Sequence, residues 1–182
     1  MSLEIVIRPV MLDDVPAINA IYSESVRHDT ASWELSPPDD NEMRRRMQSL
    51  LDQAYPYFVA ESAGQVVGYT YASSYRPRPG YRFTVENSIY VDNHYQRRGI
   101  ARQLMQTLIE ACTMRNYRQM LAVIGDSENI ASIELHRSLG FVHVGLLPHI
   151  GFKHNRWLDS VVMQRALGAG ATTWPESDVA QS

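Results

Sequence analysis

The chain has 182 residues, 45% of them hydrophobic and 20% charged, which is the balance of a globular protein that buries its own apolar core. Its formal net charge of −3 argues against a broad nucleic-acid-binding surface, which needs a basic excess. The single cysteine, Cys112, excludes an internal disulfide. The first residues lack a cationic stretch followed by an apolar run, and no segment is apolar for long enough to cross a bilayer. We therefore expect a cytoplasmic protein without membrane contact.

The apolar periodicity predicts, in chain order, a strand, two helices, three strands, a helix, a strand, a helix and two strands. The first strand alternates through Ile5 and Ile7 and ends at Pro9, and the second helix begins after a cap at Asp39. The later elements are strands over 57–61, 65–74 and 82–91, a helix over 99–114, a strand over 118–124, a helix over 129–139 and strands over 141–147 and 157–165.

Helices that interleave with strands, together with a hairpin turn at Ala63 and Gly64, indicate an α/β (α+β) fold with a mixed sheet and helices on its faces. A chain of this length fits one domain, which we expect over residues 1–167. From Gly168 onward the chain is rich in Gly, Ala, Thr, Ser and Pro, which predicts a disordered tail over residues 168–182.

A candidate anion site begins at Gly99, where a predicted strand and turn meet a helix. The free N–H groups at a helix N-terminus favour an anion, and Gln96, Arg97 and Arg98 bring donors and positive charge to the same place. A single glycine is not the dinucleotide-binding fingerprint, and no Gly-Lys-Ser/Thr follows it. On these residues alone, the segment is either a pyrophosphate site or a plain turn.

The six residues Gln96-Arg97-Arg98-Gly99-Ile100-Ala101 resemble the Gln/Arg-x-x-Gly-x-Gly/Ala motif of the GNAT superfamily of acetyltransferases. Residues 129–132, 135–136 and 139–141 are similar to the second conserved block of that superfamily. The resemblance spans residues 5–167 and implies a GNAT fold, with a mixed, mostly antiparallel central sheet of about seven strands flanked by about four helices. A closer branch, the phosphinothricin and methionine sulfoximine N-acetyltransferases, is similar at five places. These are residues 30–33, 75–76, 84–91, 151–153 and 157–159.

The resemblance implies acetyl-CoA as the co-substrate and a homodimer whose chains complete the active site together. It implies a β-bulge near Ile89, which would free backbone groups to pair with the pantetheine arm. The six histidines are scattered without paired ligand spacing, so we expect no metal. The residues implied to bind the coenzyme are Ser88, Ile89, Val91, Gln96, Arg97, Arg98, Gly99, Ile100, Ala101, Asn129 and Ser132.

Acetyl transfer to an amine needs a base for the ammonium, donors for the thioester oxygen and tolerance of the leaving thiolate. Glu86 lies in an otherwise apolar, small-residue strand, where burial would raise its pKa as a base requires. The branch has a carboxylate at this position, which implies that Glu86 is the general base; an exposed charge is the alternative. His136 matches the position of a superfamily tyrosine and is either a donor to the thiolate or a packed histidine.

The branch acts on amino acids that carry an anionic or polar tetrahedral group, and such groups favour cationic partners. Arg76 matches the branch, and Lys153 is a further candidate. For all of the substrate-binding candidates except Arg76, ordinary packing or a solvated charge remains open. These candidates are Trp33, Tyr75, Arg76, Thr84, Val85 and Lys153.

Two other functions remain open at this point. One is an acetyltransferase that acts on peptide or protein N-termini, which needs an open acceptor groove. The other is a coenzyme-A-binding module without turnover, which the presence of Glu86 disfavours.

Overall fold

A computed structural model describes residues 4–175 of the chain. The strands are β1 (Val6–Pro9), β2 (Tyr57–Ser62), β3 (Gln65–Ser74), β4 (Thr84–Val91), β5 (Gln119–Gly125), β6 (Val142–Lys153) and β7 (Arg156–Ala166). The helices are α1 (Val15–His28), α2 (Asp40–Asp52), α3 (Ile100–Met114) and α4 (Ile130–Ser138). Short 3-10 turns lie at Leu12–Asp14, Pro79–Tyr81 and Asn93–Tyr95.

The seven strands within residues 4–175 form one sheet in the order β1-β2-β3-β4-β5-β7-β6. Neighbouring strands are antiparallel except for β4 and β5, which are parallel. The predicted fold class, a mixed and mostly antiparallel sheet with four helices, is confirmed.

The helix ends follow the local chemistry that the sequence indicates. Asp39 caps α2, because its Oδ1 accepts from the backbone N–H of Glu42 at 2.8 Å. Gly140 follows α4 with φ of +84°, a left-handed conformation that glycine adopts without a steric cost. Gly99 precedes α3 with φ of +77°. These three residues fix where the helices that surround the site begin and end.

Apolar side chains on the two faces of the sheet pack against different helices. Tyr57 and Val59 of β2 belong to the cluster that contains the apolar residues of α1 and α2. The alternate residue Ala60 packs with Ile100 and Leu104 of α3. This period of two buries both faces of the sheet. Cys112 lies in the α3 core, where burial raises the pKa of its thiol to about 12, so the thiol stays protonated.

Strands β4 and β5 pair only at their first residues, from Thr84–Gln119 to Glu86–Leu121. Beyond that pair they diverge, although β4 continues to Val91. The bulge expected near Ile89 is not observed, because β4 keeps an unbroken register with β3 from Val85 to Val91. The separation of β5 from β4, rather than an extra residue, therefore opens the middle of the sheet.

The last described residues pack back on the sheet. Arg118 donates to the carbonyl of Gly170, to the Thr173 hydroxyl and to the carbonyl of Trp174. The remainder of the predicted disordered tail, residues 176–182, lies outside the described residues. Among residues 4–175, no helix combines the length and the hydropathy that crossing a bilayer requires.

Candidate active site

A cavity of about 390 Å³ occupies the opening between β4 and β5. Its walls are residues 86–90 of β4, residues 122–125 of β5, the loop that follows α1, and Asn129, Ser132 and His136 at α4. We call residues 29–34 the Trp33 loop, since Trp33 forms one wall of the cavity. A wider groove of about 1220 Å³ continues from the cavity to the start of α3.

Glu86 lies where the β4–β5 ladder ends, and its side chain lines the cavity. Burial disfavours the charged form and raises the pKa of this carboxyl above its usual value. Within residues 4–175, Glu86 has no ion-pair or hydrogen-bond partner for its side chain. A half-buried carboxylate without a cation partner has the properties that a base for an ammonium group requires.

Asn87 and His136 form a hydrogen-bonded pair at the floor of the cavity. The Asn87 Nδ2 donates to the carbonyl of Leu121 at 2.9 Å, and its Oδ1 lies 3.0 Å from His136 Nε2. The other ring nitrogen, Nδ1, lies 2.8 Å from the carbonyl oxygen of Ser132. His136 is 2% exposed, and burial lowers its pKa, which favours the neutral ring. Both ring nitrogens therefore face acceptor oxygens, and the neutral ring, which has one N–H, donates to one of the two according to its tautomer.

Among the cavity residues that the sequence did not identify are Tyr22, Glu34, Asn87 and Tyr90. The Tyr22 hydroxyl lies 2.9 Å from Ser32 Oγ, and Glu34 Oε1 accepts from Arg46 Nη1 at 2.5 Å. The sequence contains a partial signal, because tyrosines alternate at 69 and 71 and recur at 90. Their rings stack on one face of β3 and β4, where burial raises the pKa of Tyr90.

Of the predicted substrate-binding residues, Trp33 lines the cavity directly and is 38% exposed. Lys153 is 3% exposed, and its Nζ donates to the Ser32 carbonyl at 2.7 Å. Burial lowers the pKa of this ammonium. Lys153 thus contacts the Trp33 loop from behind the cavity wall.

The other predicted substrate-binding residues lie outside the lining of this cavity in one chain. Val85 is fully buried in the core beneath β4. Thr84 lies at the start of β4. Arg76 is exposed, and its guanidinium carbon lies 5.2 Å from the centroid of the Tyr75 ring.

The start of α3 has the geometry of an anion site. Arg97 and Gly99 are both left-handed, with φ of +60° and +77°. The first helical bond runs from the N–H of Gln103 to the carbonyl of Gly99 at 3.1 Å, so the amides of Ile100 and Ala101 have no acceptor within the helix. A Cβ on Gly99 would meet nothing within 4 Å, which leaves open space over these donors. A pyrophosphate fits this environment.

Most of the predicted coenzyme-binding residues line the groove. Arg98 does not line the groove, and its guanidinium carbon lies 5.3 Å from the centroid of the Tyr95 ring. Ser88 lines the smaller cavity and not the groove. Asn129 Oδ1 accepts from the N–H of Ser132 at 3.2 Å and so caps α4. Asn129 also lines both the cavity and the groove. The predicted residues in the groove are Ile89, Val91, Gln96, Arg97, Gly99, Ile100, Ala101, Asn129 and Ser132.

Within residues 4–175, no group of three or more His, Cys, Asp or Glu side chains is arranged to hold a metal ion.

The family model described as "Acetyltransferase (GNAT) family" matches residues 18–141 of the chain. The chain therefore belongs to the GNAT family of acetyltransferases, and its acetyl donor is acetyl-CoA.

Within the family, particular relatives are similar over nearly the whole chain. The phosphinothricin N-acetyltransferase of Alcaligenes faecalis is 51% identical over 170 residues, covering 93% of this chain and 86% of the relative. The L-methionine sulfoximine/L-methionine sulfone acetyltransferase of Pseudomonas paraeruginosa is 41% identical, covering 87% and 92%. The crystal structure of a phosphinothricin acetyltransferase from Sinorhizobium meliloti in complex with AcCoA superimposes with a TM-score of 0.93 at 43% identity, covering 98% and 96%.

Proposed function

We propose that this enzyme transfers the acetyl group of acetyl-CoA to the amine of a small free amino acid of the phosphinothricin or methionine sulfoximine type. The observation that carries the proposal is the half-buried carboxylate of Glu86, which has no partner among residues 4–175 and lines the cavity between β4 and β5. We call this space the acceptor cavity, and the wider groove that leads to α3 the coenzyme groove. Similarity to enzymes named for those two acceptors supports the substrate class. We further propose that residues 1–167 form one catalytic unit and that the enzyme is cytoplasmic.

Glu86 is the general base in this proposal. An ammonium group has no lone pair, so it must lose a proton before it attacks the thioester carbonyl. The raised pKa of Glu86 brings its basicity closer to that of the amine, which makes the proton transfer less unfavourable. The new N–C bond then forms as the C–S bond breaks, and the sulfur leaves as a thiolate. Backbone N–H groups of residues 87–91 that β5 does not pair are candidates to stabilise the carbonyl oxygen.

His136 has a positioning part in this proposal. Its two ring nitrogens face Asn87 Oδ1 and the Ser132 carbonyl, and the ring is almost fully buried. This geometry favours an imidazole that holds Asn87, and through it the end of the β4–β5 ladder, over one that protonates the thiolate. The coenzyme itself would be held by the amides of Gly99, Ile100 and Ala101 and by Arg97 at the groove.

The acidic group of the acceptor needs a cation that the lining of the cavity, among residues 4–175 of one chain, does not supply. The charged side chains in its lining are the carboxylates of Glu34 and Glu86. Arg76 lies outside this lining and is exposed to solvent. We propose that two copies of the chain assemble so that Arg76 completes the acceptor site.

Edge strand β6 supports a homodimer, because it exposes apolar side chains on both of its faces. The exposed row is Val142, Val144, Leu146, Leu147, Ile150 and Phe152.

We expect Val144→Glu to convert a dimer to a monomer, since a charge would be buried at the contact. Sedimentation velocity at micromolar concentration measures this. Val6 on the opposite edge strand is the matched control, because it is 48% exposed and Val144 is 50% exposed. A native monomer, or equal behaviour of Val6→Glu and Val144→Glu, would contradict the proposed interface.

A steady-state assay of thiol release tests the substrate class. The panel contains phosphinothricin, methionine sulfoximine and methionine sulfone, the common amino acids, and short peptides with free N-termini. The proposal expects the highest kcat/KM among the three analogues. A preference for peptides would instead support a peptide acetyltransferase. Binding of acetyl-CoA without acetylation of any amine would support a coenzyme-binding module.

A further inference from the structure

The indole ring of Trp33 lies directly against the backbone of Gly151 on β6. A Cβ placed on Gly151 would overlap Cζ3 of the ring and would lie 2.5 Å from Cε3 and 2.9 Å from Cη2. Carbon atoms normally approach to about 3.5–4.0 Å, so only a residue without a side chain leaves space for this ring. The φ of Gly151 is not in the left-handed region, so the requirement for glycine comes from Trp33 and not from the backbone.

A second glycine accommodates the same loop from β5. A Cβ on Gly125 would overlap the carbonyl oxygen of Thr30 and would lie 3.5 Å from Trp33 Cζ2. Gly125 pairs with Ser160 on β7, and Gly151 pairs with Leu158 on the same strand. The Trp33 loop therefore rests on two glycines that the β5-β7-β6 part of the sheet holds in register.

Hydrogen bonds from the β6–β7 hairpin fix the loop backbone at two further points. Lys153 Nζ donates to the Ser32 carbonyl at 2.7 Å, and His154 Nε2 lies 3.2 Å from the Asp29 carbonyl. The ammonium of Lys153 is buried, and an almost fully buried cation is retained where its partners are well placed. The hairpin thus contacts the loop at Asp29, Ser32 and Trp33.

We infer that Gly151 is a specificity-determining residue, because the space over its backbone sets the position of the Trp33 ring in the wall of the acceptor cavity. In the same arrangement, Lys153 is a positioning residue that holds the loop through the Ser32 carbonyl. Neither residue lines the cavity, so both act on the acceptor through Trp33. The inference rests on the proposed function, since it concerns the acceptor half of that reaction.

A side chain at position 151 would change the shape of the acceptor cavity, because it would overlap the Trp33 ring. A methyl group at position 151 requires the ring to move by roughly 1.5 Å to reach a normal contact, and the ring moves away from β6. That movement reshapes the wall of a cavity that also contains Glu86. Neither Trp33 nor Gly151 lines the coenzyme groove, although Asp29, Thr30 and Ala31 of the same loop do, so a movement confined to the Trp33 ring is expected to act on the acceptor cavity.

The test is a double-mutant cycle with Gly151→Ala and Trp33→Leu, read by steady-state kinetics against methionine sulfone and acetyl-CoA. We expect Gly151→Ala to raise the KM for methionine sulfone by about 10-fold or more and to leave the KM for acetyl-CoA within about two-fold. In the Trp33→Leu background, the same glycine change is expected to cost less than about two-fold, because the shorter side chain no longer overlaps the methyl group. Trp33→Leu alone is expected to improve kcat/KM for phenylalanine relative to methionine sulfone.

Gly145→Ala is the matched control on the same strand. Its φ is also outside the left-handed region, and a Cβ there meets nothing within 4 Å, so we expect native kinetics. If Gly151→Ala does not fold, the comparison of Trp33→Leu with the double variant and the acceptor preference of Trp33→Leu both remain measurable.

Three results would overturn the inference while leaving the proposed function intact. These are an unchanged KM for methionine sulfone in Gly151→Ala, an equal rise in both KM values, and equal effects of the glycine change in the two backgrounds. A native protein that acetylates no amine would contradict the proposed function and this inference with it.

Discussion

Replacing Glu86 with glutamine is expected to lower kcat for acetyl transfer by about 10²-fold or more, with the KM for acetyl-CoA within about two-fold of native. Glutamine retains the size and the hydrogen-bonding capacity of the side chain but cannot accept the proton of the ammonium. Steady-state kinetics with methionine sulfone measures both constants. Glu110→Gln, on the exposed side of α3, is the control for loss of a carboxylate and is expected to be native. Undiminished turnover in Glu86→Gln would remove Glu86 from the role of base.

Glu86→Gln is expected to lower turnover but not to lower the stability of the folded protein. The folded-state pKa of Glu86 is raised by burial, so ionisation of this carboxyl costs folding free energy. The contribution of Glu86 to the free energy of unfolding is fully present below its unfolded-state pKa. That contribution is lost as the pH rises through the folded-state pKa. At neutral pH, glutamine removes a desolvated charge, and the melting temperature of Glu86→Gln is expected to be no lower than that of the native protein.

The acid limb of the pH profile provides a third readout of the same group. Activity requires the ionised carboxylate, so kcat/KM for the amine is expected to fall as the pH drops through the raised pKa of Glu86. The midpoint of that fall is expected above the usual range of a glutamate. A midpoint within the usual range would show that the carboxylate is more solvated in the active enzyme than burial between β4 and β5 implies.

Replacing Gly99 with alanine is expected to raise the KM for acetyl-CoA by about 10-fold or more, with a smaller change in kcat. An L-residue in the left-handed region costs about 1–2 kcal/mol, and the chain relieves this strain by rotating the peptides on either side of position 99. Those peptides carry the amides at the start of α3 that face the groove. Isothermal titration with coenzyme A measures the loss of affinity directly.

Gly64 provides a matched control for the strain at Gly99. Its φ is +78°, and a Cβ there also meets nothing within 4 Å. Gly64→Ala, in the β2–β3 turn, is therefore expected to lose similar stability but to bind coenzyme A as the native chain does. Equal weakening of coenzyme binding in the two variants would contradict a specific role for Gly99.

The periodic elements were predictable because local chemistry decides them. The cap at Asp39 and the glycines that flank α3 and α4 each specify a short stretch without reference to the rest of the chain. Strand β6 was predicted too short, at residues 141–147, whereas it extends to Lys153. Its residues are exposed on both faces and its pairing with β7 is interrupted between Leu147 and Gly151, so no period of two marks its second half.

The acceptor cavity was only partly predictable because tertiary structure brings its walls together. Glu86 and Trp33 were identified from the sequence, and both line the cavity. Tyr22 and Glu34 come from α1 and the loop after it, and no sequence spacing relates them to β4. The contact of Lys153 with Ser32 joins residues 121 positions apart. Such pairings follow from the sheet order, which a single sequence does not specify.

The most direct test of the account is product analysis with the native chain, acetyl-CoA and methionine sulfone. We expect each thiol released to be matched by one molecule of the amino acid acetylated on its α-nitrogen, as established by mass spectrometric fragmentation. We also expect the product to be lost in Glu86→Gln, while coenzyme binding persists. Thiol release without the N-acetylated product, or product formation that does not depend on Glu86, would contradict this account.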